Sequence, residues 1–185
     1  AWARVALYDD KFMTVRQPIG VWGMEVLHMM TKFTDLYLVN PNLGSYDVMA
    51  GAGASTHATA HTKSAMGWLP NGRILQHQSG KTTANLQAIA LPQPPAPDRV
   101  TAVSIRSRLT THHFLVEARL AVDQYERKDG PNDGIPKEGV IVYEVFDTFS
   151  VFLRAVLTPG TGNVFENSGE GLTIKVTQAI PGGFT

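Results

Sequence analysis

Residues 19–33 read IGVWGMEVLHMMTKF, and this stretch predicts the first helix of the chain. Trp22, Val26, Met29 and Phe33 recur at intervals of four, three and four residues, which places them on one face of an amphipathic helix. Because the pattern is helical and continuous, it favours a helical first half of the protein.

The remaining elements are predicted on both sides of a proline-rich segment. A second helix is expected at residues 56–66, with Gly67 as a normal C-terminal stop. Residues 91–98 form a stiff connector, because four prolines in six residues fit neither a helix nor a central strand. Beyond it, alternating and β-branched stretches predict strands at residues 100–108, 113–122, 139–146, 150–157 and 172–176.

Together these elements predict an α+β fold. A helical half, residues 1–90, is expected to pack on an antiparallel, β-rich, sandwich-like half, residues 91–185, as one compact unit. Pro181, Gly182 and Gly183 form a turn signal after an apparent strand. The chain stops two residues later, so we expect the return strand of this hairpin to be missing.

The composition excludes several classes of protein. Lys and Arg total 16, as do Asp and Glu, so the formal net charge is zero and a nucleic-acid binder is not expected. No apolar run reaches the roughly 18 residues that a membrane span needs. Because there is no cysteine, disulfides, thiolate catalysis and cysteine-based metal sites are also excluded.

Glu25 and His28 match the second part of a zinc-binding pattern. In H-E-x-x-H, two imidazoles four residues apart bind one zinc ion from the same helix face, and the Glu is the general base toward the metal's water. Met24 occupies the first ligand position here, and a neutral thioether is a poor zinc ligand. Taken alone, the pattern also fits a surface Glu–His pair beside a core methionine.

Several segments, in matching order, resemble the immune inhibitor A-type metallopeptidases (family M6), a metzincin-like group. Residues 22–37 are similar to the family's zinc helix, whose usual form is H-E-x-x-H-x-x-G-x-x-D-L-Y. Residues 44–49 read GSYDVM and resemble its G-S-W-D-L-M segment. Further similar segments lie at residues 60–69, 114–119, 133–145 and 164–176.

The resemblance implies a metallopeptidase-like fold, a secreted or extracellular protein and a zinc site. In that site Glu25 is the general base, His28 is a zinc ligand and Asp35 is a candidate further ligand. Met49 would form the apolar floor under the metal. Only these four residues carry over from the family's motifs.

The sequence departs from the family where the chemistry lies. Met24 replaces the first zinc-binding His, and Thr31 replaces the Gly at which the chain turns. Asp35 falls eleven residues after Met24, whereas the family's third ligand comes at ten. The segment ahead of the zinc helix is also short, which indicates a truncated N-terminal part.

Other side chains offer alternative metal sites. His57 and His61 are four residues apart and would share a helix face, so His61 is a further candidate ligand beside His28. Residues 129–133 combine oxygen donors with tight turns, as calcium loops do, although ordinary turn chemistry explains them equally. The methionines of the first helix, with Met49, could bind copper(I), but core filling is the commoner role.

Three functions follow as hypotheses. The first is a metallopeptidase-like hydrolase with a degraded zinc site, in which zinc is weakly bound or absent and peptidase activity is weak or lost. The second is a non-catalytic pseudo-peptidase that binds a protein, a peptide or a small ligand. The third is a metal-dependent hydrolase of a non-peptide ester or lactone.

Overall fold

The computed structural model describes residues 19–39, 41–51, 56–70, 72–92, 96–109, 111–128 and 134–185, and shows an α+β protein. Helices α1 and α2 span Ile19–Thr31 and Ala60–Ala65, and a short 3-10 helix spans Gly44–Tyr46. The strands, numbered β1 to β10 in chain order, are Ile74–His77, Leu86–Gln87, Ala102–Arg106, His113–Arg119, Gly139–Val145, Val151–Leu157, Val164–Asn167, Leu172–Lys175, Ala179–Ile180 and Gly183–Phe184. The loop proposed for calcium, residues 129–133, lies outside the described residues.

A five-stranded sheet in the order β1-β3-β4-β5-β6 forms the centre of the protein. Four of its strands coincide with predicted ones, and their pairing is antiparallel as expected. The edge strand β1, which pairs in parallel with β3, was not predicted. Strand β1 precedes the proline-rich segment and β3 follows it, so the two predicted halves share this sheet.

Two small sheets complete the β structure. Strands β7 and β8 form an antiparallel pair, and β2, β10 and β9 form a three-stranded sheet. The expectation of a missing return strand is wrong, because Gly183 and Phe184 turn back to pair with Ala179–Ile180. A Cβ at Gly183 would lie 1.8 Å from the Leu86 carbonyl oxygen, so this close approach requires glycine.

The two faces of the central sheet pack against different parts of the chain. On β4, Phe114 and Val116 face a core that also contains Leu86, Phe184 and side chains of β7 and β8. Leu115 points to the other face, where the core contains Met49 and the rest of the segment that follows α1. This alternation, which follows from the two-residue period of a strand, places the helices on one face and the small sheets on the other.

The face of α1 that packs inward is not the predicted one. Trp22, Val26 and Met29 are exposed, whereas Met24 and Leu27 pack against the core. The helix is apolar on most of its circumference, so periodicity alone could not identify the buried face. Within the described parts of the chain, no helix has the length and apolar character needed to cross a membrane.

Helix α2 begins later than predicted. Thr59 is its N-cap, with a side chain that accepts a hydrogen bond from the Thr62 amide. Residues 56–58 therefore precede the helix, and His57 does not share a helix face with His61.

Candidate functional site

The turn after α1 occurs one residue later than the family pattern would place it. Lys32 adopts φ = 58°, in the left-handed region that normally favours glycine. Thr31, at the family's glycine position, stays helical, and its hydroxyl donates to the Leu27 carbonyl at 2.6 Å. Asp35 follows Lys32 by three residues, as the family's third ligand follows its glycine. The turn and the candidate ligand are therefore displaced together by one residue.

The turn brings His28 and Asp35 together. His28 Nε2 lies 3.0 Å from Asp35 Oδ1, and His28 Nδ1 lies 2.5 Å from the Phe33 carbonyl oxygen. The Tyr37 hydroxyl donates to Asp35 Oδ2 at 2.8 Å. Both side chains of the pair are 26% exposed. The imidazole and the carboxylate are thus each oriented by a second partner and remain accessible from solvent.

Met49 is bonded through its backbone to the residue that follows Asp35. Its carbonyl accepts a hydrogen bond from the Leu36 amide at 2.9 Å, which attaches the Met49 loop to the residue after Asp35. Met49 is fully buried, and Met24 of α1 packs against the same core cluster. The predicted floor residue is therefore attached to the loop segment that carries Asp35.

Asp47 holds the Met49 loop in place. Its Oδ1 accepts from the Met49 amide at 2.8 Å. Its Oδ2 accepts from the Thr59 hydroxyl and the Thr62 hydroxyl, each at 2.6 Å. Asp47 is completely buried, so these bonds replace the water that the carboxylate loses on folding.

Glu25 and Met24 occupy different environments on α1. The Glu25 side chain is half-buried and forms no hydrogen bond or ion pair with another described residue. It lies three residues before His28, so the two side chains are neighbours on one helix face. Met24 lies four residues before His28 and is also its neighbour, at the position where the family has its first ligand.

The described residues only partly fit a zinc ion. Two ligands of one tetrahedral zinc are about 3.3 Å apart, given bonds of about 2.0–2.1 Å. The His28–Asp35 separation is close to this value, and a ligating His usually donates its other N–H to an acceptor, as Nδ1 does to Phe33. Nowhere in the described ranges, however, do three or more acidic or His side chains converge on one metal position. Because a catalytic zinc normally has three protein ligands, these residues do not complete such a site.

The structure does not bring His61 to the pair. His61 Nε2 donates to the Thr148 carbonyl at 3.0 Å, and its ring lies edge-on to Phe33 with 6.0 Å between the ring centroids. Burial lowers the pKa of His61, outweighing the opposing effect of the Thr148 carbonyl and the nearby carboxylates. His57 is also engaged elsewhere, because its Nε2 lies 2.7 Å from Asp123 Oδ2.

A buried ionic network centred on Arg119 contacts the Met49 loop through the Tyr46 carbonyl. All five N–H groups of Arg119 have an acceptor: both oxygens of Glu126, Glu117 Oε1, and the carbonyls of Tyr46 and His57. Glu117 and Arg119 form a buried ion pair, with 3.2 Å between Oε1 and Nη1. Two charges in an otherwise apolar strand are the sequence signal for such a pair, since buried charges need partners. No comparable signal pointed to Glu126.

A second polar cluster lies at the opposite end of the central sheet. His112 Nε2 lies 2.7 Å from Glu144 Oε1 and 3.5 Å from Glu170 Oε1, and these side chains are 7–8% exposed. The Ser107 hydroxyl donates to Glu170 at 2.7 Å.

Comparison with models of protein families, with curated protein sequences and with solved structures gives no match. The relation to the family M6 metallopeptidases accordingly stays a prediction, based on the motifs quoted above and on the geometry of the turn after α1.

Proposed function

We propose that this chain is a metallopeptidase-like domain with a degenerate zinc site, in which peptidase activity is weak or lost. The observation that carries the proposal is the His28–Asp35 pair, oriented by Phe33 and Tyr37 at a spacing suited to two ligands of one metal ion. Met24 stands where the family has its remaining ligand. Two ligands give a weak metal site and not a catalytic one.

The displaced turn supports the same proposal. A one-residue insertion in the zinc helix explains why both Lys32 and Asp35 are one position late relative to the family pattern. The same insertion explains how Thr31 can occupy the family's glycine position while the turn itself is kept. Family resemblance would make the protein secreted or extracellular.

Restoring the missing ligand tests the proposal. We expect Met24→His to raise zinc affinity by at least about 100-fold, since even outer-shell partners of a zinc ligand are worth about 10–100-fold. Isothermal titration with zinc measures the change. Met30→His is the matched control, because Met30 is exposed and two residues from His28, where it does not share the ligand face.

Two outcomes would contradict the proposal. Stoichiometric zinc that survives dialysis of the wild-type protein would show an intact site, and equal affinities in the two His variants would show that the ligand positions do not converge. If Met24→His hydrolyses a peptide, an ester or a lactone, Glu25→Gln should abolish the hydrolysis and retain the zinc.

A second function, peptide or protein binding without catalysis, is favoured by the outer surface of α1. Trp22, Val26, Met29 and Met30 are all exposed, and Met30 is 72% exposed. Contiguous exposed apolar side chains are typical of interaction surfaces. These residues lie on the same helix as His28, so a partner held there would be adjacent to the degenerate site.

A further inference from the structure

A cleft of about 330 Å³ is lined by residues that are distant in sequence from the His28–Asp35 pair. It is formed where the parallel strands β1 and β3 end, at His77 and Arg106, and it is closed by the turn between β7 and β8. Its volume is at the lower end of the range for small-molecule sites, about 300–1,000 Å³. The cleft can therefore hold a small molecule.

Two arginines belong to the lining of the cleft. Arg106 and Arg108 both line it, and among the described residues neither forms an ion pair with a carboxylate. A Cβ built on Gly171 would lie 3.4 Å from Arg108 Nη1, so this guanidinium lies against the turn that closes the cleft. Unpaired arginines are suited to carboxylate and phosphate groups, which they bind through two parallel hydrogen bonds.

The one carboxylate in the lining is already engaged. Glu170 Oε1 accepts from the Ser107 hydroxyl at 2.7 Å, and Oε2 accepts from the Arg108 amide at 2.8 Å. The hydrogen bond from Ser107 lowers the pKa of Glu170, so this side chain is an anion at neutral pH. The cleft still carries one more positive than negative charge, since both arginines line it.

Three of the lining residues are apolar and large. Phe114 is 1% exposed and lines the cleft together with the half-buried Ile105 and Leu172. The Phe114 ring is held by Phe165, with 6.2 Å between the ring centroids. A ligand that fits must therefore present an apolar body to Phe114 and a charged group to the arginines.

We propose that this cleft binds a small organic anion, with a carboxylate or phosphate group held by Arg106 and Arg108 and an apolar body placed against Phe114, Ile105 and Leu172. The site is separate from the degenerate zinc site and does not depend on it. Its recognition combines charge at the rim with apolar contact inside, which is the usual arrangement of small-molecule sites.

Four probes of related shape test the proposal on the full chain. Benzoate and phenyl phosphate carry the anion on an aromatic body, benzyl alcohol lacks the charge, and acetate lacks the body. We expect saturable binding of at least one aromatic anion, with benzyl alcohol and acetate at least about tenfold weaker, a difference of about 1.4 kcal/mol. The tighter of the two anions identifies the preferred head group. Amide shifts of Gly80 and Gly171, followed by NMR, locate the binding.

Charge-neutral variants complete the test. Arg106→Gln and Arg108→Gln should each weaken binding by about tenfold, and added salt should weaken binding to the wild-type protein. Arg73→Gln is the control, because Arg73 precedes β1, at the opposite end of that strand from the cleft. The proposal is overturned if neither aromatic anion saturates, if benzyl alcohol binds equally well, or if Arg73→Gln weakens binding as much as the cleft variants.

Discussion

Replacing Arg119 by Lys should be among the most destabilising conservative substitutions in this protein. Arg119 is fully buried and donates from all five of its N–H groups, whereas a lysine ammonium has three donors. At least two hydrogen bonds are lost, and hydrogen bonds to charged groups contribute about 1.5–3 kcal/mol each. The expected loss is about 3–6 kcal/mol, in line with the cost of breaking a buried ion pair, about 3–5 kcal/mol.

Denaturant unfolding measures this loss directly. We expect the midpoint of the Arg119→Lys variant to fall while the slope m stays unchanged, because the surface exposed on unfolding is the same. Arg154→Lys is the matched control: Arg154 donates to Glu144 at 2.6 Å, but its side chain is 33% exposed. That change should cost about 1 kcal/mol or less. A loss at Arg119 no larger than that at Arg154 would refute the reasoning.

The same variant should loosen the candidate site. Arg119 Nη1 donates to the Tyr46 carbonyl at 2.6 Å, one residue before Asp47, which holds the Met49 amide. Losing this support should speed hydrogen exchange at Met49 more than at a β5 amide such as that of Val142. Uniform acceleration at both positions would show that the network stabilises the whole fold without a specific effect on the loop.

Two further predictions concern the turn and the pH dependence of stability. Lys32→Gly should raise the unfolding free energy by about 0.5–1 kcal/mol, because glycine relieves the left-handed strain, whereas Thr31→Gly should lower it by about 1 kcal/mol. Thermal unfolding of both variants measures these changes. If Thr31→Gly were the more stable variant, the turn would have to lie at Thr31. Burial lowers the pKa of His61 below its ordinary value of 6.5, so the unfolded chain binds the proton first and stability should fall as the pH drops from about 7 toward 5. His61→Gln should flatten that slope in denaturant titrations across this range, and an unchanged slope would exclude His61 as its source.

The strands of the second half could be predicted because their signal is local. Strands β4, β5 and β6 are seven-residue runs of apolar and β-branched side chains. Strands β2 and β10 contain only two residues each. They pair with each other although almost the whole second half of the chain separates them in sequence. A two-residue strand has no periodicity, so sequence patterns could not reveal it.

In the candidate site, too, contacts between residues close in sequence could be predicted and long-range contacts could not. The family resemblance named both His28 and Asp35 as candidate ligands, and only seven residues and one turn separate them. Within the Arg119 network, the sequence pattern can indicate only Glu117, two residues away on the same strand. Its partners Glu126, Tyr46 and His57 come from separate loops, and their approach depends on the packing of the sheet.

Strand β2 has a consequence for how the chain can fold during synthesis. Leu86 and Gln87 gain their antiparallel partner only when Gly183 and Phe184 have left the ribosome. Until then these two residues lack that partner for the time needed to translate nearly a hundred codons, although Gln87 can already donate to the Val100 carbonyl. Assembly of this sheet therefore waits until residues 183–184 have been synthesised, and a chaperone that shields residues 86–89 would have its greatest effect in that interval.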